Sequence, residues 1–99
     1  DVVRGVEHAM KESEGIKTVN LGNSSPCTVT DLVGKLGQAL GLKPRVRRVD
    51  RPVGEMDVTF ADVSRAHQLW GWQPQIALDD GLRDFAAWIK AEEAAGRNV

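Results

Sequence analysis

Tyrosine is absent from these 99 residues, which excludes any proton transfer that relies on a phenol. Cysteine occurs once, at Cys27, so no intrachain disulfide can form, a pattern that fits a reducing compartment. A lone thiol becomes a nucleophile only where its surroundings favour the thiolate, and nothing next to Cys27 does so. It reads instead as a small buried or turn residue. Histidine occurs twice. His8 and His67 each sit alone in a helix pattern with no second ligand at i+4, which argues against a metal site. No apolar run approaches the roughly 20 residues needed to span a bilayer. Charge of either sign is not in excess: 13 Lys and Arg against 14 Asp and Glu leave a net charge of −1, so no global field draws nucleic acid or an anionic membrane.

What is present fits an ordinary globular protein of one domain or less, 41% hydrophobic and 27% charged. Val2, Val3, Val6, Ala9 and Met10 follow helical spacing, with Glu7, Lys11 and Glu12 off that stripe and Gly15 as a stop. Thr18-Val19-Asn20-Leu21 reads as a short strand ended by Gly22 and Asn23. Thr28 and Asp31 are spaced as a capping box, with Thr30 as an alternative cap. The following helix buries Val29, Leu32, Val33, Leu36 and Leu40, and ends at Gly41 before Pro44. Gly34 and Gly37 weaken it, which close packing against a neighbour would rationalise.

Arg45-Val46-Arg47-Arg48-Val49 reads as a second strand. Strand, helix, strand implies a parallel pair with a right-handed crossover. Asp62 caps a short helix through Leu69 and Trp70, closed by Gly71. A last helix starts near Asp79 or Asp80, with Leu82, Phe85, Ala86 and Ile89 as its stripe. The expected fold class is α/β, helix-rich, with about four helices and two short parallel strands. The chain opens inside a helix pattern with neither an initiator Met nor a signal peptide, so it is expected to have been cut from something longer.

Three stretches can carry chemistry. Lys43, Arg45, Arg47, Arg48 and Arg51 place five cations in nine residues. Arg forks two hydrogen bonds onto phosphate oxygens, although a solvated edge strand has the same composition. No aromatic residue interleaves them, so nucleic-acid binding is disfavoured. Arg51-Pro52-Val53-Gly54-Glu55 flanks a Pro/Gly turn with a cation and a carboxylate, suited to a phosphate and to sugar hydroxyls. Leu69-Trp70-Gly71-Trp72-Gln73-Pro74 is a helix stop followed by an aromatic, and Trp72 is assigned to the core. Asp79-Asp80 is read as a helix cap and Glu92-Glu93 as a solvated helix end.

Taken in order, Asp1-Val2-Val3-Arg4-Gly5-Val6, Asn20-Leu21-Gly22-Asn23-Ser24-Ser25-Pro26, Gly54-Glu55, Ala61-Asp62-Val63-Ser64-Arg65-Ala66, Gly71-Trp72-Gln73-Pro74, Gly81-Leu82 and Phe85-Ala86-Ala87-Trp88 resemble one family. They are similar to the C-terminal third of the extended short-chain dehydrogenase/reductases, and within these most similar to the UDP-glucuronate 4-epimerases. The resemblance covers nearly the whole chain.

It implies an isomerase of nucleotide-sugar metabolism. NAD takes and returns a hydride at the sugar's fourth carbon, held by an N-terminal Rossmann domain that is absent here. The family's Tyr-x-x-x-Lys pair cannot lie in a chain without Tyr, so no catalytic residue and no cofactor contact is expected in residues 1–99. What remains is the UDP-sugar side. Glu55 matches the acid that contacts the nucleotide's ribose. Pro52 stands at the position of the family's Arg or Gln, and Arg51, one residue earlier, is the candidate for the diphosphate.

The expected partners are thus a UDP-sugar and the protein's own Rossmann domain, with no nucleic acid and no membrane contact. The expected location is cytoplasmic, and the isolated chain is expected to self-associate through Val2, Val3 and Val6. Two other readings stay open: a stand-alone binding module that reuses this fold without catalysis, and an α/β fragment with no specific surface. The sequence upstream of Asp1 discriminates among them.

Overall fold

The computed structural model describes residues 1–12, 14–56 and 58–98. Four helices are present among them: α1 (Val2–Lys11), α2 (Val29–Leu40), α3 (Ser64–Trp70) and α4 (Leu78–Ala94). They belong to two compact units, Asp1–Pro26 with Gly54–Gln75, and Cys27–Val53 with Ile76–Val99.

In the first unit α1 packs through its polar side. Gly5 is buried, and a methyl group there would stand 2.6 Å from Leu21 Cδ2 and 3.0 Å from Leu21 Cγ, so any larger residue would force the leucine side chain to shift. One turn on, His8 stacks on Trp70 of α3, with ring centroids 5.9 Å apart. Glu12 accepts the Trp70 indole N–H at 3.2 Å and pairs with Lys17 at 2.8 Å. Those two hydrogen bonds, Lys17 first, hold the Glu12 carboxyl below its ordinary value. Glu12, off the apolar stripe in the sequence, is nonetheless half-buried at the helix junction.

α3 ends at Gly71 in the left-handed conformation (φ 65), whose N–H donates to His67 O at 2.8 Å. The chain then turns Trp72 inward to 1% exposure. Its indole N–H donates to Asp1 O at 3.1 Å, and Arg4 donates to Gln73 O at 3.0 Å. The start of α1 therefore clasps the segment after α3.

The second unit is the pair α2 and α4. Thr28 caps α2, its hydroxyl oxygen accepting Asp31 N–H at 3.0 Å while the hydroxyl itself donates to the Asp31 carboxylate at 2.6 Å. At the other end Gly41 (φ 72) and Leu42 donate back to Gln38 O and Gly37 O, a Schellman closure. This brings Leu42 O and the Pro44 ring over Gly37, which is buried. Gly37 is thus crowded by the turn that closes its own helix rather than by a neighbouring element, whereas Gly34 faces open space. Lys35 of α2 reaches Asp79 of α4 at 2.5 Å, which raises the lysine pKa. α4 starts at Leu78 with Ala77 as N-cap, so Asp79 and Asp80 lie in its first turn and neither caps it. They favour the helix through its dipole, with Asp80 also paired to Arg83. Val29 and Leu32, expected in the buried stripe of α2, are exposed, as is Phe85 from the expected stripe of α4, where Ala86 forms the buried point.

Both expected strands are absent: no strand occurs among the described residues, so the architecture is helical rather than α/β. A strand is defined by a ladder to a neighbour, and neither Thr18–Leu21 nor Arg45–Val49 has one. Residues 45–49 explain themselves: Val46 and Val49 are exposed along with the arginines, so the segment has no apolar face with which to join a sheet. In residues 18–21 Leu21 spends its surface against Gly5 of α1.

Candidate functional site: a cleft between two loops

The first unit contains an open cleft of about 430 Å³ lined by Asn20, Leu21, Gly22, Asn23, Thr59, Phe60 and Ala61. Its two walls are irregular segments that approach closely because the residues at the crossing are small. A Cβ added at Gly22 would lie 2.9 Å from Ala61 Cβ. The walls are tied by Asn20 Nδ2, which donates to Asp62 O at 3.4 Å. Asn23 shapes the next turn, its side-chain oxygen accepting Ser25 N–H at 2.8 Å. At the end of the second wall Asp62 accepts Ser64 N–H at 3.0 Å, opening α3. That hydrogen bond, with one to the Ser64 side chain, keeps the Asp62 carboxyl below its ordinary value. The expected capping role of Asp62 therefore appears as a turn just before the helix, with Val63 between.

The lining offers two amides, a threonine hydroxyl and an exposed phenyl ring. Such groups hydrogen-bond neutral hydroxyl and carbonyl groups and stack on rings. Among the described residues that line it, none has an ionisable side chain.

Arg51 and Glu55 are both exposed, Arg51 in the second unit and Glu55 in the first. Neither is a lining residue of the cleft. Between them Gly54 has φ 90, a left-handed conformation that requires glycine, so the turn expected of Pro52-Val53-Gly54 is present. The other cations of the cluster, Lys43, Arg45, Arg47 and Arg48, are exposed on an irregular segment of the second unit. Cys27, expected to be buried or in a turn, is exposed, with its sulfur 3.4 Å from Thr28 O.

The Asn20–Pro26 run stood out in the sequence; Thr59 and Phe60 did not. The available signal was the pair of small residues, Gly22 and Ala61, which marks a close crossing only once the two loops are known to meet. Among the described residues no group of three His, Cys, Asp or Glu side chains is placed to hold a metal ion, and no helix is long and apolar enough to cross a membrane.

No family model matches the chain, and no solved structure matches it. Curated proteins do. The chain is 29% identical over 91 residues to a UDP-glucuronate 4-epimerase of Thermodesulfobacterium geofontis, covering 91% of this chain and 28% of that one. It is 38% identical over 85 residues to UDP-glucuronate 4-epimerase 3 of Arabidopsis thaliana, covering 85% of this chain and 20% of that one. Along most of its length the chain is thus similar to a part of UDP-glucuronate 4-epimerases. The chain is also 30% identical over 92 residues to an uncharacterised UDP-glucose epimerase of Bacillus subtilis, covering 92% of this chain and 29% of that one. It spans between 20% and 29% of the length of these three relatives.

Proposed function

We propose that the chain is the substrate-binding portion of an NAD-dependent nucleotide-sugar epimerase, a UDP-glucuronate 4-epimerase in its full-length form. The reading is carried by the similarity to UDP-glucuronate 4-epimerases along nearly the whole of this chain. In that reading residues 1–99 hold the UDP-sugar and take no part in hydride or proton transfer. The described residues do not fit a dinucleotide: they contain no strand leading into a glycine-rich turn and helix, the arrangement that cradles a pyrophosphate. No cofactor contact is assigned to them, and NAD belongs with the remainder of the full-length protein.

Arg51 carries the diphosphate contact, since a guanidinium forks onto phosphate oxygens. Glu55 carries the ribose contact, since a carboxylate accepts two hydroxyl hydrogen bonds. The Gly54 turn sets the carboxylate's approach.

The test is calorimetric titration of the full-length protein with UDP-glucuronate. A hydrogen bond to a charged group contributes about 1.5–3 kcal/mol, so Arg51→Ala and Glu55→Ala should each weaken binding by roughly 10- to 100-fold. Wild-type affinity in both variants would remove these residues from the site.

A further inference from the structure

Positive charge is concentrated in one short segment. Residues 43–51 hold five of the 13 cations and one of the 14 acids, a net +4, so the other residues carry −5 to reach the total of −1. An edge strand would account for such a run, since charge there discourages pairing with another chain. That account does not hold for residues 45–49, because no strand occurs among the described residues. Nor are the cations spent on partners within the chain. Lys43, Arg45, Arg47, Arg48 and Asp50 are exposed, and among the described residues none of them joins an ion pair or a side-chain hydrogen bond.

From Lys43 to Arg48 successive cations are one or two residues apart, at most about 7 Å along an extended backbone. That is inside the Debye length of about 8 Å at physiological salt, so their potentials add. Three residues beyond Arg48 on the same irregular segment lies Arg51, the residue given the diphosphate contact, and all five cations belong to the second unit.

We infer that Lys43, Arg45, Arg47 and Arg48 form a capture surface for anionic substrate, which raises its concentration beside Arg51 and favours a sugar bearing a carboxylate over an uncharged one. The inference rests on the nucleotide-sugar reading of the chain. UDP-glucuronate brings two charges on its diphosphate and a third on its sugar carboxylate, whereas UDP-glucose has the two alone. A field that acts on total charge separates them without any contact to the carboxylate. Nucleic acid is the poorer fit as the anion, because no aromatic residue interleaves these cations to stack on bases.

Stopped-flow mixing of the full-length protein with each nucleotide-sugar, followed by tryptophan fluorescence, tests this. The variant carries Lys43→Gln, Arg45→Gln, Arg47→Gln and Arg48→Gln together. At low salt it should bind UDP-glucuronate at least about tenfold more slowly than wild type, with a smaller loss for UDP-glucose. At 0.5 M salt, where the Debye length is about 4 Å, the two proteins should agree within about twofold. Arg45→Lys, Arg47→Lys and Arg48→Lys together, which keep the charge, should retain the wild-type rate. Equal rates for wild type and the Gln variant at low salt would overturn the inference. So would a loss of the same size at both salt concentrations, which would mark a contact or a folding defect rather than a field. Failure of the wild type to bind either nucleotide-sugar would instead defeat the underlying reading of the chain.

Discussion

Gly34 and Gly37 lie one turn apart in α2 and carry the same helix penalty, yet alanine should act on them in opposite directions. At Gly34 an added methyl meets nothing within 4 Å. Gly34→Ala therefore gains the propensity difference alone, about 1 kcal/mol. At Gly37 the methyl would stand 2.9 Å from Leu42 O and 2.9 Å from Pro44 Cδ. The oxygen is main chain, held in place by the Schellman closure, and Leu42 N–H already donates to Gly37 O at 2.9 Å. It cannot swing aside as a side-chain tip would. Overpacking costs about 1–3 kcal/mol, so after the same propensity gain Gly37→Ala is destabilising by up to about 2 kcal/mol.

Amide hydrogen exchange in α2 reads both effects locally, in the full-length protein. Gly34→Ala should slow exchange by roughly fivefold, and Gly37→Ala should speed it by up to about 30-fold. Equal slowing in both variants would refute the reasoning, because it would mean that the turn after α2 does not press on the helix.

The contact between Gly5 and Leu21 predicts a coupling. Gly5→Ala destabilises the first unit and Leu21→Ala relieves the clash, giving a double-mutant interaction energy of about 1 kcal/mol or more in urea unfolding; additive effects would contradict the packing. For pH, Glu12, Asp62 and Glu92 all have folded pKa values below their ordinary 4.5, 3.8 and 4.5, caused first by Lys17, by Ser64 N–H and by Arg97 respectively. The unfolded chain binds these protons more tightly, so the stabilisation is full above the ordinary values and is lost as pH falls through the folded ones. Lys35 has the opposite sign: Asp79 raises its pKa above 10.5, so its contribution is full below that value and is lost as pH rises beyond it. Urea midpoints should therefore decline on acidification below about pH 4.5, and a flat profile from pH 6 to 3 would contradict this assignment.

Legibility followed the range of the interactions. Helices written in local chemistry could be read directly: Thr28 and Asp31 at the start of α2, Gly41 at its end, Gly71 after α3 with Trp72 turned inward. Strands could not, because a ladder depends on a second segment and the alternation of Val and Arg at 45–49 does not report whether one is present. The orientation of α1 was hidden for a related reason. Its apolar stripe was plain in the sequence, but Gly5, His8 and Glu12 became the packed side only through Leu21 and Trp70, residues far along the chain. Of the candidate site, Gly22 and Asn23 were legible as a turn, Asn20 and Leu21 were read as the end of a strand that is absent, and Thr59–Ala61 joined them only through the tertiary crossing at Gly22.

The central claim is that residues 1–99 hold a UDP-sugar for chemistry performed elsewhere in a longer protein. Turnover of UDP-glucuronate, followed by chromatographic separation of the two C4 epimers, tests it most directly in a side-by-side comparison of the full-length protein and the 99-residue chain. The account predicts interconversion by the full-length protein and none by the chain. Epimerisation by the 99-residue chain alone, or no turnover of any UDP-sugar by the full-length protein, would contradict it.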